Sequence, residues 1–265
     1  MTFTGRPGAD PLLADRITEA VLLAGLPVAY GGHGAGVHVR PARPLDERDD
    51  CAGLIAVHWE PGPRLMAAAA MEQAVKPATS ARTLVIDSMN NALAEFLPAF
   101  GLETAPGRPG GETRFGRADG PPPAGEQDTA APAPAGARPQ DLGIGTDLVE
   151  AVRRAAALAG LPVADHLRAP GIVLDSCRSV AADDDPIGLA DLDWNPSRRL
   201  SAVADGDTPD AERAARARTA ARDAMRHAFG AVLGACGLDL KWRRPSGLRY
   251  QLRAHGPAEQ PPIRR

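Results

Sequence analysis

Two stretches of the chain carry the hydrophobic pattern of a helix with one buried face. Apolar residues recur at the spacing of a helical turn, at Leu13, Ile17, Ala20, Val21 and Ala24 and again at Leu148, Val152, Ala155, Ala156 and Ala159. Asp10 and the following Pro11 are typical of a helix start. Each stretch ends in a glycine, Gly25 or Gly160, with a proline two residues later. The pattern predicts two helices that end in the same way.

Each predicted helix is followed by two strand patterns. A short apolar run covers residues 37–39 in the first case and 172–174 in the second. After an acidic connector comes a strand whose side chains alternate. Its predicted inner face carries Ile55, Val57 and Trp59 in the first copy and Ala190, Leu192 and Trp194 in the second. The tryptophans are therefore predicted to be core residues rather than stacking platforms for a ligand.

A long helix and a closing strand complete each copy. Apolar spacing predicts helices over residues 81–100 and 210–236, and strands near 112–117 and 248–253. The segments after the tryptophans differ between the two copies. Residues 65–75 could be helical because of their alanine content, whereas residues 200–210 contain Gly206 and Pro209 and are not expected to form a stable helix. A short third strand in both is the solution that we predict for them.

The two copies also share letters. Residues 24–29 and 159–164 both read Ala-Gly-Leu-Pro-Val-Ala, and residues 53–61 correspond to 188–196 at the same offset of 135. A Trp-x-Pro-x-x-Arg-Leu motif follows in each copy. Its defining residues are Trp59, Pro61 and Arg64 in the first copy and Trp194, Pro196 and Arg199 in the second. We interpret this pattern as a tandem duplication.

The predicted fold class is α+β, a tandem duplication of a two-layer α-β-β-(β)-α-β unit with a small, mostly antiparallel sheet and helices on one face. The element order alone resembles the general plan of secretion-chaperone-like domains. The predicted organisation is a flexible lead-in (1–9), unit one (10–118), a Pro/Ala/Gly-rich linker (119–143), unit two (144–256) and a flexible tail (257–265).

Composition restricts the function only broadly. A net charge of −3 over 265 residues gives no overall attraction to nucleic acid or anionic membranes. Three widely spaced cysteines predict reduced thiols in a cytoplasmic protein. We see no signal peptide and no apolar run long enough to span a bilayer.

Familiar catalytic and cofactor motifs are missing from the sequence. The glycine-rich residues 31–36 lack the strand before and the helix after that a phosphate loop needs. The run that begins at Asp191 fails the EF-hand pattern, since Pro196 and Ala202 occupy the glycine and glutamate positions. We therefore assign no catalytic, cofactor or metal residue from sequence.

Two histidines and a glutamate of the first copy form a candidate metal-binding group. His38 and His58 fall on the outer faces of two strands that are expected to pair, with Glu60 close by. Two histidines and a glutamate are a known Zn²⁺ donor set. The second copy has Val173 and Asp193 at the histidine positions. A solvated sheet face is the interpretation that we favour.

The second long helix is rich in arginine. Arg218, Arg222 and Arg226 are four residues apart and so share one helix face. Candidate contacts to nucleic acid or another partner are these three together with Lys241, Arg243 and Arg244. The alternative is a solvated face opposite the chain's own acidic segment.

Three hypotheses about function remain open. The first is a non-catalytic cytoplasmic binding or adaptor protein for protein partners, with two like modules that act bivalently, pair within the chain or form homo-oligomers. The second is nucleic-acid binding through the arginine helix. The third is an enzyme whose site lies between the units.

Overall fold

The computed structural model describes residues 10–30, 33–44, 51–72, 77–105, 112–120, 137–176, 189–243 and 251–258. The first half contains α1 (Pro11–Leu23), β1 (Gly36–Pro41), β2 (Ile55–Glu60), α2 (Pro63–Met71), α3 (Pro77–Phe96), β3 (Leu102–Ala105) and β4 (Thr113–Ala118). The second half contains α4 (Thr146–Ala159), β5 (Gly171–Ser176), β6 (Ala190–Asn195), α5 (Arg198–Ala204), α6 (Ala211–Ala235), β7 (Leu238–Arg243) and β8 (Gln251–Pro257). This confirms the α+β class.

Each half has one four-stranded antiparallel sheet. The strand orders are β1-β2-β4-β3 and β5-β6-β8-β7, so β2 and β6, which carry Trp59 and Trp194, are each one of the two inner strands of their sheet. The registers correspond as well, since His38 lies opposite His58 and Val173 opposite Asp193. The edge strands β3 and β7, which correspond to each other, both have a register shift after their second residue. The two halves thus repeat one architecture.

The helix ends follow the sequence signals. The Asp10 carboxylate accepts a hydrogen bond from Leu12 N at 2.9 Å, and Pro11 occupies the first helical position, as expected of an N-cap. Gly25 and Gly160 end α1 and α4 with φ of 83° and 82°. The predictions of helices α1 and α4 and of their C-terminal ends are therefore confirmed.

The third strand predicted after each tryptophan is wrong, because helices α2 and α5 occupy these positions. Leu65 and Leu200 are completely buried and anchor the two helices to the core. The Ser197 hydroxyl caps α5 by accepting from Leu200 N at 3.2 Å. Helix α5 stops at Ala204, so Gly206 and Pro209 follow a short helix instead of preventing one.

Strands β3 and β7 were not predicted. Each begins directly after the glycine that ends the preceding helical segment, Gly101 or Gly237. They are edge strands, and β3 has only four residues with a single fully buried side chain, Leu102. A strand this short and this exposed leaves too little alternation in the sequence to be recognised.

The two halves share one core. Buried residues from both form a single hydrophobic cluster, and α3 packs against α6. Main-chain hydrogen bonds also cross between the halves: Gly62 N donates to Leu158 O, and Ser197 N donates to Leu23 O, each at 2.9 Å. These reciprocal contacts are what an isologous dimer interface would show, here within one chain.

The end of the predicted linker is folded onto the second half. Residues Pro139–Leu142 form a 3₁₀ turn in which Pro139 is buried, and Leu167 N donates to Ala137 O at 3.0 Å. Residues 121–136 of the linker, like the predicted lead-in (1–9) and most of the tail, lie outside the described residues. Among the described helices, none combines the length and apolar character that crossing a bilayer requires.

Candidate binding sites

The repeated sequence motifs meet each other at the contact between the halves. The indole Nε1 of Trp59 donates to Ala159 O at 2.9 Å, and Nε1 of Trp194 donates to Ala24 O at 2.8 Å. Both rings are almost fully buried. The tryptophans are core residues, as predicted, but each one satisfies a helix end in the opposite half, which the sequence did not indicate.

Close approach at this contact requires glycine. A Cβ at Gly25 would lie 2.9 Å from Asn195 O, and one at Gly160 would lie 2.8 Å from the Ala35 side chain. Both glycines also have positive φ, which a β-carbon disfavours. The repeated Ala-Gly therefore serves two purposes, since it ends a helix and lets the opposite half approach.

The remaining motif residues differ between the halves. Pro61 and Pro196 are both buried at the turn after the strand. Arg64 is exposed, whereas Arg199 forms an ion pair with Glu19 of the first half. The arginine thus contributes to the contact between the halves on one side only.

The main-chain N–H of each tryptophan is satisfied in a different way. Trp59 N donates to the Asn90 side chain of α3 at 2.8 Å. Trp194 N donates instead to the carboxylate of its neighbour Asp193, at 2.8 Å. Aligning the helices on Gly101 and Gly237 places Arg226 at the position of Asn90, and Arg226 binds that same carboxylate at 2.8 Å.

The arginine face of α6 is ion-paired within the chain. Arg222 and Arg226 both bind Asp193, and Arg218 binds Asp205 at 2.6 Å. Burial alone would raise the pKa of Asp193, but the hydrogen bonds and charges of the two arginines outweigh it and lower that pKa. All three guanidinium groups are thus engaged by carboxylates of the chain, with Arg222 and Arg226 sharing the single charge of Asp193.

The other predicted contact residues are not gathered with them. Lys241 is exposed on β7, and Arg243 ends that strand. Arg244 lies outside the described residues. The nucleic-acid strip remains a prediction from sequence.

An apolar groove runs between α6 and the edge strand β7. Its volume is about 490 Å³. Trp242 lies on its strand side with 43% of its surface exposed, and its ring centroid is 6.0 Å from that of His227. The remaining lining residues are Gly230, Ala231, Gly234, Leu238, Asp239, Leu240, Leu252 and Ala258.

Two glycines of α6 make room for this groove. A Cβ at Gly230 would lie 3.1 Å from the Trp242 ring, so the glycine lets the indole rest against the helix. A Cβ at Gly234 would meet nothing within 4 Å, so this position faces open space. Alignment on Gly101 and Gly237 gives Glu95 and Pro98 in place of Ala231 and Gly234, so the first half does not repeat this lining.

The histidine pair forms a second candidate site. Strand register places His38 directly opposite His58, and their rings are stacked with centroids 5.0 Å apart. Nε2 of His38 donates to Gly34 O at 2.9 Å and lies 3.0 Å from a Glu60 carboxylate oxygen. One donor atom from each of His38, His58 and Glu60 lies within 4.8 Å of the others.

The expectation of a solvated sheet face is wrong for His38, whereas His58 and Glu60 are partly exposed. His38 is only 5% exposed, and Nδ1 of His58 is buried without a hydrogen-bond partner. Burial lowers the pKa of His58 to about 4, with Arg40 and His38 acting in the same direction and Glu112 against them. The His58 ring is therefore neutral near pH 7.

A buried arginine occupies the outer face of each sheet. Arg114 is 2% exposed and donates to Arg43 O at 2.7 Å, while Arg253 is 1% exposed and binds Asp191 at 3.0 Å. Asp191 and Asp193 are thus both engaged by arginines. The two carboxylates that resembled the start of an EF-hand in the sequence therefore form ion pairs with arginines of the chain.

A second cavity, of about 530 Å³, lies along α3. It is lined by Thr79, Ser80, Thr83, Leu84, Asp87, Ser88 and Asn91, all from the first half, whereas the groove beside β7 is lined by the second half alone. Neither cavity therefore combines polar groups from both halves, which is what the enzyme hypothesis requires.

Comparison of the chain with protein-family models, with curated proteins and with solved structures found no match.

Proposed function

We propose that this chain is a non-catalytic binding protein that takes an extended, apolar segment of a partner protein into the groove between α6 and β7. The observation that carries the proposal is the exposed Trp242 at the mouth of that groove, next to a sheet edge. The paired halves supply a rigid frame for it.

The edge of β7 offers main-chain groups to such a segment. Within the described part of the chain, β7 pairs only with β8, so its other side is open. An extended peptide that adds to a sheet edge gains main-chain hydrogen bonds, and its alternate side chains reach the pockets beside the edge. Here those side chains would lie over Ala231 and Gly234 of α6.

Large apolar side chains suit this groove best. Its walls are formed mainly by alanine, glycine, leucine and Trp242. Aromatic residues that are half-exposed in pockets are common binding hot spots, because a partner removes their remaining surface from water. Burying that surface would contribute the hydrophobic part of the binding free energy.

The cellular compartment belongs to the same proposal. Cys51 and Cys236 are both free thiols, and burial raises the pKa of Cys236 to about 12, which makes it an unreactive core residue. We propose a reducing compartment, the cytoplasm, for this chain.

A random-peptide library selected on the full chain tests the proposal. Enriched peptides should carry apolar residues at alternate positions, and binding should shift the fluorescence of Trp242, since Trp59 and Trp194 are already buried. Trp242→Ala and Gly234→Leu should each weaken peptide binding by at least about tenfold. Gly234→Leu fills the groove from a position with open space around it, so the fold should tolerate it.

Leu84→Ala is the matched control, because Leu84 is exposed to 41%, close to the value for Trp242, but lies in the first half. It should bind selected peptides as the parent chain does. Failure to enrich any peptide, or equal binding by Trp242→Ala, would refute the groove. Salt-sensitive binding of a DNA duplex that is lost in an Arg218/Arg222/Arg226→Ala variant would favour the nucleic-acid hypothesis instead.

A further inference from the structure

The geometry points to a binding site for a divalent transition-metal ion of the Zn²⁺ type at His38, His58 and Glu60. Two imidazoles and one carboxylate form a donor set that zinc accepts. The site is independent of the groove beside β7, because it lies on the sheet of the other half.

The donor atoms are near ligation distance. Two ligands on a tetrahedral zinc ion with bonds of about 2.0–2.1 Å are about 3.3 Å apart. Nε2 of His38 and Oε2 of Glu60 are 3.0 Å apart, and no two of the three donor atoms are more than 4.8 Å apart. Small side-chain rotations would bring all three onto one ion, without movement of the strands.

The strand pairing holds the donors in place. His38 and His58 are directly opposite in the β1–β2 register, and Glu60 follows His58 by two residues, so all three project from one face. A site on paired strands is more rigid than one on loops. The stacked rings and the low exposure of His38 add to this order.

One ring nitrogen of the cluster is buried without a hydrogen bond, as expected of an atom that ligates a metal ion. Nδ1 of His58 is buried and has no hydrogen-bond partner, which is costly for a polar group. Nε2 of His38 donates to Gly34 O, so metal binding would move that proton to Nδ1 and replace the hydrogen bond. Glu60 is exposed to 35% at its side chain, which leaves water a path to a fourth position.

The charges around the cluster are of both signs. Arg40 is the nearby positive charge that acts on His58, but it is paired with Glu112 at 3.0 Å. Glu112 also lies 3.6 Å from the buried Arg114. The Glu60 carboxylate is therefore the negative charge available to the ion at the cluster itself.

The second half does not repeat this donor set at the corresponding strand positions. The corresponding residues of the second half are Val173, Asp193 and Asn195, and Asp193 is already bound by Arg222 and Arg226. The expected stoichiometry is consequently one ion per chain.

Calorimetric titration of the tag-free, chelator-treated chain with Zn²⁺ tests the site. We expect one-to-one binding, and His58→Gln and Glu60→Gln should each lower the affinity by at least about tenfold. Titration with Co²⁺ should give the visible absorption bands of a four-coordinate ion. Zn²⁺ should also raise the melting temperature of the parent chain, and by less in the two variants at the same metal concentration.

His166→Gln is the control, because it removes a partly exposed histidine from a loop of the second half. It should bind zinc like the parent chain. Circular dichroism without metal establishes that each variant is folded, and Glu60→Gln keeps the test decisive if His58→Gln is unstable. Absence of stoichiometric binding, or unchanged affinity in a folded Glu60→Gln variant, would overturn the proposal.

Discussion

In each half, the buried main-chain N–H of the tryptophan in β2 or β6 needs a hydrogen-bond acceptor. The two halves supply that acceptor with different residues. In the first half, Asn90 of α3 accepts the hydrogen bond from Trp59 N. In the second half, Asp193 accepts it from Trp194 N, and Arg226, which stands in place of Asn90, holds the carboxylate. One neutral side chain has been exchanged for an ion pair, while the buried N–H remains satisfied in both.

The two halves differ more on the outer faces and at the edges of their sheets than in their cores. The first half places two histidines where the second has Val173 and Asp193. The second half places a groove beside its edge strand, where Glu95 and Pro98 of the first half stand at positions that correspond to groove residues. Both candidate sites therefore lie where the two halves differ, on faces and edges outside their shared core.

Removing either tryptophan should have the largest effect on stability. Trp59→Ala and Trp194→Ala each create a cavity and leave a carbonyl of the opposite half, Ala159 O or Ala24 O, without its indole donor. We expect a loss of about 3–5 kcal/mol in each case. Urea unfolding followed by circular dichroism measures it.

The parent chain should unfold in a single transition, because the halves share one core. Two separate transitions, with each tryptophan substitution affecting only one of them, would show that the halves are energetically independent.

Replacing Gly25 or Gly160, the glycines at the contact between the halves, should cause the next largest loss of stability. Gly25→Ala and Gly160→Ala each force a β-carbon into a positive-φ position against the other half. The left-handed conformation alone costs about 1–2 kcal/mol, and the contact adds to it. Thermal unfolding should show a similar loss for both.

Gly234→Ala is the matched control, since this helical glycine faces open space. It should stabilise the chain by about 0.8–1.0 kcal/mol through helix propensity. A destabilised Gly234→Ala variant would show that glycine is required there for another reason.

Asp193 should make the second half sensitive to acid. Its pKa is lowered in the folded chain, so its contribution to stability is present above its ordinary pKa of 3.8 and is lost as the pH falls through the lower folded value. Asp193→Asn should cost about 1 kcal/mol at neutral pH. The difference between parent chain and variant, measured by urea unfolding, should shrink as the pH falls below 3.8.

Asn90→Ala is the counterpart in the first half. It removes the partner of the buried Trp59 N–H and should cost about 1–3 kcal/mol. Because no carboxylate is involved in that contact, its cost should not depend on pH in the same range. A pH-dependent cost would contradict the comparison of the two halves.

Arg218→Ala should have the smallest effect. The Arg218–Asp205 pair is near the surface, with side-chain exposures of 32% and 67%. Pairs of this kind contribute about 0–1 kcal/mol, and less at high salt. A loss of more than that in thermal unfolding would show that the arginine face has a structural role beyond local pairing.

Much of the local structure could be read from the sequence, because its signals are local. The periodic apolar residues and closing glycines predicted helices α1, α3, α4 and α6, and strict alternation predicted the burial of Trp59 and Trp194. The hydrophobic pattern gave the wrong prediction for the short elements that follow each Trp-x-Pro motif. Helices α2 and α5 are held by one buried leucine each, which a periodic pattern cannot reveal.

The sequence by itself determined the repeated scaffold, since hydrophobic spacing and chain-stopping residues act over a few neighbours. Tertiary structure alone decided that the repeated Ala-Gly and Trp motifs bind each other across the halves, because the partners are 100 and 170 residues apart in the chain. It also decided that His38 is buried and that Trp242 is not. Exposure depends on what packs over a side chain, and alternation along a strand reports only which face it is on.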